Sequence, residues 1–144
     1  MQSFDGFLIG CPPMTYVHRV RVRYGECDMQ RVVFNAHYMA YCDDAVDTWF
    51  RAVLAPDGSG FEGLGFDFML KTATMTWHNP LVFGETGDLA CSIGRWGNAS
   101  FDVVINATCN GDDRFDATIT YVSVVPGENR PTRIPDFVRE RLSA

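Results

Sequence analysis

The chain has 144 residues, of which 47% are hydrophobic and 21% are charged, so it is long and apolar enough to form one folded domain. Its net charge of −6, from 12 basic and 18 acidic side chains, argues against a general nucleic-acid binder, because such proteins usually carry a basic surplus. No stretch approaches the roughly 20 apolar residues of a membrane helix, and the first residues lack the basic start and apolar run of a signal peptide.

The first predicted element is a β-strand over residues 17–24, which read VHRVRVRY. Val20, Val22 and Tyr24 alternate with three arginines, so the apolar side chains share one face and the charged ones share the other. This pattern is typical of a strand that is buried on one side only.

A long amphipathic helix is predicted to follow. From Asn35 onward, apolar residues recur at spacings of three and four, and they are Met39, Cys42, Val46, Trp49, Phe50 and Val53. Asn35 is the predicted N-cap, and Pro56 ends the helix after about five turns. The pattern indicates a helix with one face in the core.

Four more strands are predicted after a glycine-rich loop, and they span residues 66–77, 88–96, 101–109 and 114–125. Asn110-Gly111 marks a tight turn between the last two strands, and residues 136–142 are predicted to form a short helix. Because one helix must bury its apolar face on one sheet, this order predicts an α+β domain with a thin core and exposed sheet edges. We therefore expect self-association, as a homodimer or a homotetramer.

Five cysteines are scattered along the chain without a C-x-x-C pair. This predicts free thiols in a cytoplasmic protein, with neither a zinc site nor a disulfide scaffold. Cys27 has no histidine at a recognisable partner spacing, so it is interpreted as a bystander and not as a nucleophile. The chain also lacks a G-x-S-x-G motif, so a serine-hydrolase mechanism has no support.

The candidate chemistry lies in residues 24–41, YGECDMQRVVFNAHYMAY. Asp28 follows the first strand and stands seven residues before Asn35, where the helix begins. From the residues alone, Asp28 is best interpreted as a loop carboxylate that caps a turn, and Asn35 as an ordinary N-cap. His37 on the first helical turn fits a surface position as well as a functional one, and His78 on a strand-like run is interpreted as structural.

This segment resembles the signature of the 4-hydroxybenzoyl-CoA thioesterase-like family of hotdog-fold acyl-CoA thioesterases. The matching residues are Tyr24, Glu26, Asp28, Val32-Val33-Phe34 and Asn35-Ala36-His37-Tyr38. Further agreement lies in NPLVFGETGDLACSI, NASFDVVI and RPTRIPDFVRERL, so the resemblance covers residues 17–142. It implies an α+β hotdog fold, in which one long helix is wrapped by a five-stranded antiparallel sheet. It also implies a single domain over residues 1–144, with residues 1–16 as an N-terminal extension.

The same resemblance implies hydrolysis of acyl-CoA thioesters to a free acid and CoA. Asp28 would be the nucleophile or the general base, and the N–H groups at the helix start, around Asn35 and His37, would polarise the thioester carbonyl. Phe34 and Tyr38 would contact the substrate. No metal and no cofactor is implied beyond the coenzyme A that enters as part of the substrate.

Coenzyme A is a polyanion, and arginine is suited to binding phosphate groups. The predicted phosphate contacts are Arg95, Arg130 and Arg133. Taken one at a time, each is equally well explained as a solvated surface arginine.

Two departures from the family pattern keep other functions open. The family often has glycine three residues after the aspartate, where this chain has Arg31, and N-A-H-Y replaces the common H-A-N-Y at the helix start. A catalytically silent protein that binds acyl-CoA is therefore one alternative. A thioesterase for acyl-carrier-protein thioesters is another, although an acidic protein fits an acidic carrier poorly. A hotdog hydratase is disfavoured, because no pairing of Asp with His stands out in the sequence.

Overall fold

The computed structural model describes residues 15–61 and 63–143. Within these ranges the helices and strands follow one another as β1 (Tyr16–Arg21), α1 (Asn35–Leu54), β2 (Asp67–Trp77), β3 (Thr86–Trp96), β4 (Ser100–Cys109), β5 (Asp112–Val124) and α2 (Asp136–Ser143). A 3-10 turn at Tyr24–Glu26 separates β1 from α1. Of the predicted N-terminal extension, residues 1–14 lie outside the described residues, and its last residue, Tyr16, begins β1.

The strands form one antiparallel sheet in the order β1-β3-β4-β5-β2. Alternate side chains of β3, β4 and β5 are buried in one core with α1, so each of these strands has one buried and one solvated face. Asn110 and Gly111, with φ of 53° and 81°, form the tight turn predicted between β4 and β5. For the part of the chain described, the predicted α+β class, with a long helix on a five-stranded antiparallel sheet, is confirmed.

Helix α1 fills the centre of the core. Its buried residues recur at spacings of three and four, as predicted, and they are Tyr38, Tyr41, Cys42, Ala45, Val46, Trp49, Phe50 and Leu54. The rings of Trp49 and Phe50, both fully buried, lie 5.1 Å apart. The helix ends just before Pro56, because proline disfavours the helical conformation in the residue before it. Neither helix in the described ranges is long and apolar enough to cross a membrane.

The predicted end of the first strand is wrong. β1 ends at Arg21, and Tyr24 lies in the 3-10 turn with 82% of its surface exposed. Glu26 accepts hydrogen bonds from the Arg23 N–H at 2.8 Å and from the Arg23 guanidinium at 2.6 Å. These bonds bend the chain out of the strand, and Tyr24 therefore does not reach the core.

The predicted N-cap of α1 is also wrong. Phe34 holds that position in an extended conformation, with φ of −69° and ψ of 140°, and Asn35 is the first helical residue. The chain stays extended up to Phe34 because its N–H donates to the Glu26 carbonyl oxygen at 2.9 Å. The Asn35 side chain is therefore not used as a cap.

The two ends of the sheet have different neighbours. At one end, which we call the Asp28 end, Trp77 on β2 pairs with Phe115 at the start of β5. The Tyr38 ring of α1 lies 5.8 Å from the Trp77 ring and 5.1 Å from the Phe115 ring. At the other end, which we call the far end, the chain turns from β3 into β4, and α2 packs against Trp96 at the end of β3. The start of α1 is therefore held at the Asp28 end.

Strand β2 is an edge of the sheet, because only β5 pairs with it in the described chain. Met69, Leu70 and Trp77 on this strand are 45%, 51% and 45% exposed. An unpaired strand edge with exposed apolar side chains is a surface that proteins usually cover.

Candidate active site

Asp28 lies in the loop between the 3-10 turn and α1. Its N–H donates to the Val32 carbonyl oxygen at 2.9 Å, and its carbonyl oxygen accepts from the Arg31 N–H at 3.0 Å, which closes a tight turn. The carboxylate oxygen Oδ1 accepts from the Gln30 N–H at 2.8 Å, as aspartate commonly does in turns. The side chain is exposed, and Oδ2 has no hydrogen-bond partner in the described ranges. One oxygen therefore holds the turn and the other is open to a ligand.

Arg31 has a φ of 66°, in the left-handed region that glycine adopts without strain. Arg31 stands at the position where the sequence departs from the family pattern, in which glycine is common. For a residue with a side chain this conformation costs about 1–2 kcal/mol. The Arg31 side chain is exposed.

The segment 80–85, between β2 and β3, supports the Asp28 loop through its main chain. The Val33 N–H donates to the Leu81 carbonyl oxygen at 2.9 Å. The Leu81 N–H donates to the Tyr38 hydroxyl at 3.0 Å, which joins this segment to the start of α1. Burial raises the pKa of Tyr38, so its hydroxyl stays neutral and remains available for this bond.

A largely buried ion pair holds the segment 80–85 in turn. The Arg114 side chain is 9% exposed and donates to both carboxylate oxygens of Glu85, at 2.6 and 3.0 Å, and to the Pro80 carbonyl oxygen at 2.9 Å. Glu85 also accepts from the Val82 N–H at 2.8 Å. The Arg114 guanidinium holds the pKa of Glu85 below its ordinary value, so the carboxylate is ionised at neutral pH. The pair thus fixes the segment against which the Asp28 loop rests.

The N-terminus of α1 has free N–H groups. No side chain caps it, and its first turn contains no acidic residue. The His37 N–H donates to the Phe34 carbonyl oxygen at 2.9 Å, whereas the N–H groups of Asn35 and Ala36 have no acceptor in the described ranges. Such groups carry a partial positive charge and can donate to an oxygen on which negative charge develops.

One cleft of about 320 Å³ joins Asp28 to the start of α1, and we call it the Asn35 cleft. Four of the predicted site residues line this cleft, namely Asp28, Phe34, Asn35 and Tyr38. The rest of the lining consists of Gln30, Val32, Val33, Trp77, His78, Asn79 and Pro80. His37 does not line it, and the centre of its ring lies 6.3 Å from that of Phe34.

The residues after β2 are the part of this site that sequence reasoning missed. His78 lines the cleft, and its Nε2 lies 2.7 Å from Oδ2 of Asp116, whose other oxygen accepts from the Asn106 side chain at 2.8 Å. This Asp and His pair does not stand out in the sequence, because the two residues are 38 positions apart. The available signal was that His78 directly follows the strand predicted over residues 66–77.

A second opening also has Asp28 in its lining and has a volume of about 810 Å³. We call it the Arg31 groove, and it is lined by Tyr24, Gly25, Cys27, Asp28, Met29, Arg31 and Phe83. Burial raises the pKa of the Cys27 thiol, which disfavours the thiolate form that a nucleophile requires. Cys27 therefore forms part of a wall, and Asp28 is the residue that the two openings share.

The three arginines predicted to bind phosphate lie at or beyond the far end of the sheet. Each forms an ion pair with a nearby carboxylate at 3.0–3.1 Å, and they are Arg95, Arg130 and Arg133. Strand β3 has 11 residues, so its ends are roughly 30 Å apart. Within one chain the structure does not bring these arginines to Asp28, and their binding to coenzyme A stays a prediction.

Comparison with protein families assigns the chain to a class. A family model described as the thioesterase-like superfamily matches residues 22–142, and the chain belongs to this family. The class of enzyme that this membership indicates is a thioester hydrolase.

Solved structures give the particular fold. A thioesterase-superfamily protein from Jannaschia sp. CCS1 has a TM-score of 0.83 at 20% identity, over 91% of this chain and 92% of that chain. A gentisyl-coenzyme A thioesterase has a TM-score of 0.77 at 21% identity, over 90% and 100%. The 1,4-dihydroxy-2-naphthoyl-CoA thioesterase from Synechocystis has a TM-score of 0.75 at 15% identity, over 90% of this chain and 96% of that chain. The chain thus has the hotdog fold, as predicted, and we find no match to it among curated proteins.

Proposed function

We propose that this protein hydrolyses acyl-CoA thioesters to a free acid and coenzyme A. The observation that carries the proposal is that Asp28 and the uncapped first turn of α1 line one cleft. Thioester hydrolysis needs a nucleophile or a base that activates water, and a carboxylate can serve as either, together with N–H donors for the carbonyl oxygen. Family membership supports a thioester substrate, and two of the structural relatives are described as coenzyme A thioesterases.

In this proposal the thioester carbonyl oxygen binds the N–H groups of Asn35 and Ala36, and Asp28 acts through Oδ2 in one of two ways. As a nucleophile, Oδ2 attacks the carbonyl carbon, the C–S bond breaks, and coenzyme A leaves as the thiolate; water then hydrolyses the mixed anhydride. As a general base, Oδ2 accepts a proton from the water molecule that attacks the carbonyl carbon; the C–S bond then breaks, and the proton passes from Asp28 to the coenzyme A thiolate that leaves. In both cases Oδ1 stays bonded to the Gln30 N–H and keeps the turn in place.

The aromatic wall of the Asn35 cleft is proposed to contact the acyl group. Phe34 is 51% exposed and therefore accessible to a ligand. Tyr38 is 2% exposed and packs against the rings of Trp77 and Phe115, so it supports the wall from behind. We assign His37 an indirect part, because its ring contacts Phe34 and orients that side chain.

We also propose that two copies pair through the free edge of β2 as a homodimer. The exposed apolar residues Met69, Leu70 and Trp77 on this edge support the pairing. Because Trp77 also lines the Asn35 cleft, the second copy would lie beside the site.

A cytoplasmic location fits the thiols of the described chain, since Cys27, Cys42, Cys91 and Cys109 are all free. The proposed reaction uses no metal and no cofactor beyond the coenzyme A of the substrate.

The test is the release of free thiol from short-chain, long-chain and aryl acyl-CoAs. Asp28→Asn is the sharpest variant, because its side-chain oxygen can still accept from the Gln30 N–H while the reactive carboxylate is lost. We expect kcat to fall by about 10²-fold to 10⁴-fold or more. The free energy of unfolding should stay within about 1 kcal/mol of the wild-type value, since the bond that holds the turn is kept.

Glu140→Gln is the matched control, because it removes an exposed carboxylate from α2 at the far end of the sheet. Its turnover should equal that of the wild type. Turnover that survives in Asp28→Asn would contradict the role assigned to Asp28. No turnover of any thioester, together with tight acyl-CoA binding, would select a silent binding protein. Faster turnover of acyl-carrier-protein thioesters would replace the proposed substrate class.

A further inference from the structure

The Arg31 groove differs in character from the Asn35 cleft. The volume of the groove is about 810 Å³ and that of the cleft is about 320 Å³, and Asp28 lines both openings. Its wall is apolar and exposed, since Tyr24, Met29 and Phe83 are 82%, 101% and 48% exposed. The rings of Tyr24 and Phe83 meet edge to face with centres 6.0 Å apart. The groove therefore presents apolar surface beside the proposed reaction centre.

Arg31 is the cation of this groove, and no carboxylate in the described ranges forms an ion pair with it. Asp28 stands only three residues earlier, yet the two side chains form no salt bridge. The Arg31 guanidinium is thus available to an anionic ligand.

Folding does not account for the side chain of Arg31. The hydrogen bonds of this residue are made by its main chain, with its N–H donating to Asp28 at 3.0 Å and its carbonyl oxygen accepting from Phe83 at 3.1 Å. A glycine would make the same bonds without the left-handed cost of about 1–2 kcal/mol. A strained residue beside a cleft is a reason to look for a function of its side chain.

The proposed reaction centre divides the substrate into two arms. With the carbonyl carbon at Asp28 and its oxygen at the start of α1, the acyl group and the sulfur leave the carbonyl carbon in different directions. Asp28 is shared by two openings, so each arm has a place to lie. We propose that the coenzyme A arm lies in the Arg31 groove and that Arg31 binds one of its phosphates. This inference rests on the proposed function, because it assumes a CoA thioester that reacts at Asp28.

The chemistry of the two partners matches. A guanidinium donates two parallel charge-assisted hydrogen bonds to a phosphate, which are stronger than bonds between neutral groups. The pantetheine chain between the sulfur and the phosphates has apolar stretches, and Met29 and Phe83 offer them apolar contacts. Arg31 then contributes to binding of the substrate, while Asp28 carries the reaction.

The test compares two thioesters of the same acyl group, one on coenzyme A and one on N-acetylcysteamine, which has no phosphate. Arg31→Gln is the chosen variant because glutamine also has a β-carbon, so the backbone strain is retained while the charge is lost. We expect the KM for the acyl-CoA to rise roughly 10-fold to 100-fold and kcat to change less than about threefold. Hydrolysis of the N-acetylcysteamine thioester should be unchanged, and Arg31→Lys should recover part of the loss in KM.

Two controls remove an arginine elsewhere. Arg21 on β1 also has no acidic partner in the described ranges but lines neither opening, so Arg21→Gln should leave KM unchanged. Arg95→Gln tests the phosphate contact predicted from the sequence. An equal effect of Arg31→Gln on both thioesters would overturn the inference. So would a rise in the KM for acyl-CoA that occurs in Arg95→Gln and not in Arg31→Gln.

Calorimetry with free coenzyme A separates this inference from the proposed function. A dissociation constant that rises roughly 10-fold to 100-fold in Arg31→Gln, and not in Asp28→Asn, supports the Arg31 contact even where no thioester is hydrolysed. Hydrolysis that requires Asp28, together with equal coenzyme A affinity in Arg31→Gln and wild type, overturns the Arg31 contact and leaves the proposed function intact.

Discussion

Two arginines at the Asp28 end of the sheet differ in their partners from the three arginines that were predicted to bind phosphate. These three pair with carboxylates two to seven residues away in sequence, and they are Arg95, Arg130 and Arg133. Their side chains are 47%, 65% and 59% exposed. At the Asp28 end, Arg114 is 9% exposed and pairs with Glu85, which is 29 residues away. Arg31 has no acidic partner among the described residues.

The effect of an arginine on stability or on ligand binding therefore depends on its partner. Exposed pairs between sequence neighbours contribute little to stability, about 0–1 kcal/mol each, and the nearby carboxylate weakens the attraction for an outside anion. A buried pair between distant segments fixes the backbone at both. An unpaired arginine beside a cleft keeps its full attraction for a ligand. Each of the following variants removes one of these arginines or its acidic partner, and the effects on stability and turnover test the comparison.

The largest effect is expected for Arg114→Met, which leaves Glu85 without its cation. Breaking a buried pair by removing one partner typically costs 3–5 kcal/mol, so the free energy of unfolding should fall by about that amount. Because the segment 80–85 supports the Asp28 loop, turnover at low temperature should fall as well. Urea unfolding and thiol release measured on the same preparations provide the check.

Arg95→Met is the control for that experiment, since it breaks a far-end pair in which the arginine is 47% exposed, and it should cost less stability than the Arg114 variant. The double variant Arg114→Met with Glu85→Leu should recover part of the lost stability, because no buried charge is left unpaired. Equal losses in the Arg114 and Arg95 variants would show that the two ends do not differ in the way described.

A smaller effect is expected for Glu85→Gln, and it should depend on pH. Hydrogen bonding to Arg114 lowers the pKa of Glu85 from its ordinary value of 4.5. A carboxyl group with a lowered pKa in the folded chain stabilises the fold above its unfolded pKa, and this contribution is lost as the pH falls through the folded pKa. Glu85→Gln should therefore cost about 1.5–3 kcal/mol at pH 7 and less at about pH 3. Urea unfolding at both values would refute this if the difference from wild type were constant.

The smallest effect is expected for Arg31→Gly. Relief of the left-handed strain gains about 1–2 kcal/mol, and the greater freedom of glycine in the unfolded chain returns about 0.4–1 kcal/mol. The variant should thus be more stable than wild type by about 0–1.6 kcal/mol and should still bind coenzyme A more weakly. Arg21→Gly, placed in β1, should lower the melting temperature. A melting temperature of Arg31→Gly below that of wild type would contradict the claim that the left-handed conformation of Arg31 destabilises the fold.

The sequence predicted those parts of the fold that are decided by residues close together. The three-and-four spacing around Trp49 indicated α1, and Asn110-Gly111 indicated the turn between β4 and β5. The errors at Tyr24 and Asn35 share one cause. Glu26 accepts a hydrogen bond from the Arg23 N–H through its carboxylate and one from the Phe34 N–H through its carbonyl oxygen. The spacing of hydrophobic residues in the sequence does not predict such bonds.

The part of the candidate site that comes from one segment, residues 24–41, could be predicted from the sequence. Asp28 and Asn35 lie in one cleft because both belong to the same short stretch of chain, and their catalytic roles remain predictions. His78 was missed because it comes from the end of β2, and Arg114 because its partner Glu85 is distant in sequence. Contacts between distant segments depend on strand order and register, which hydrophobic alternation alone does not determine.

The main-chain bonding of the Asp28 loop also makes this protein a convenient starting point for directed evolution. Because the turn is closed by N–H and carbonyl groups, the side chains of Met29 and Arg31 carry no hydrogen bond that holds it. A library randomised at these two positions should keep its fold if proline and β-branched residues, which do not fit a φ of 66°, are left out at position 31. We expect variants with altered substrate preference to be recovered from this library with little loss of stability.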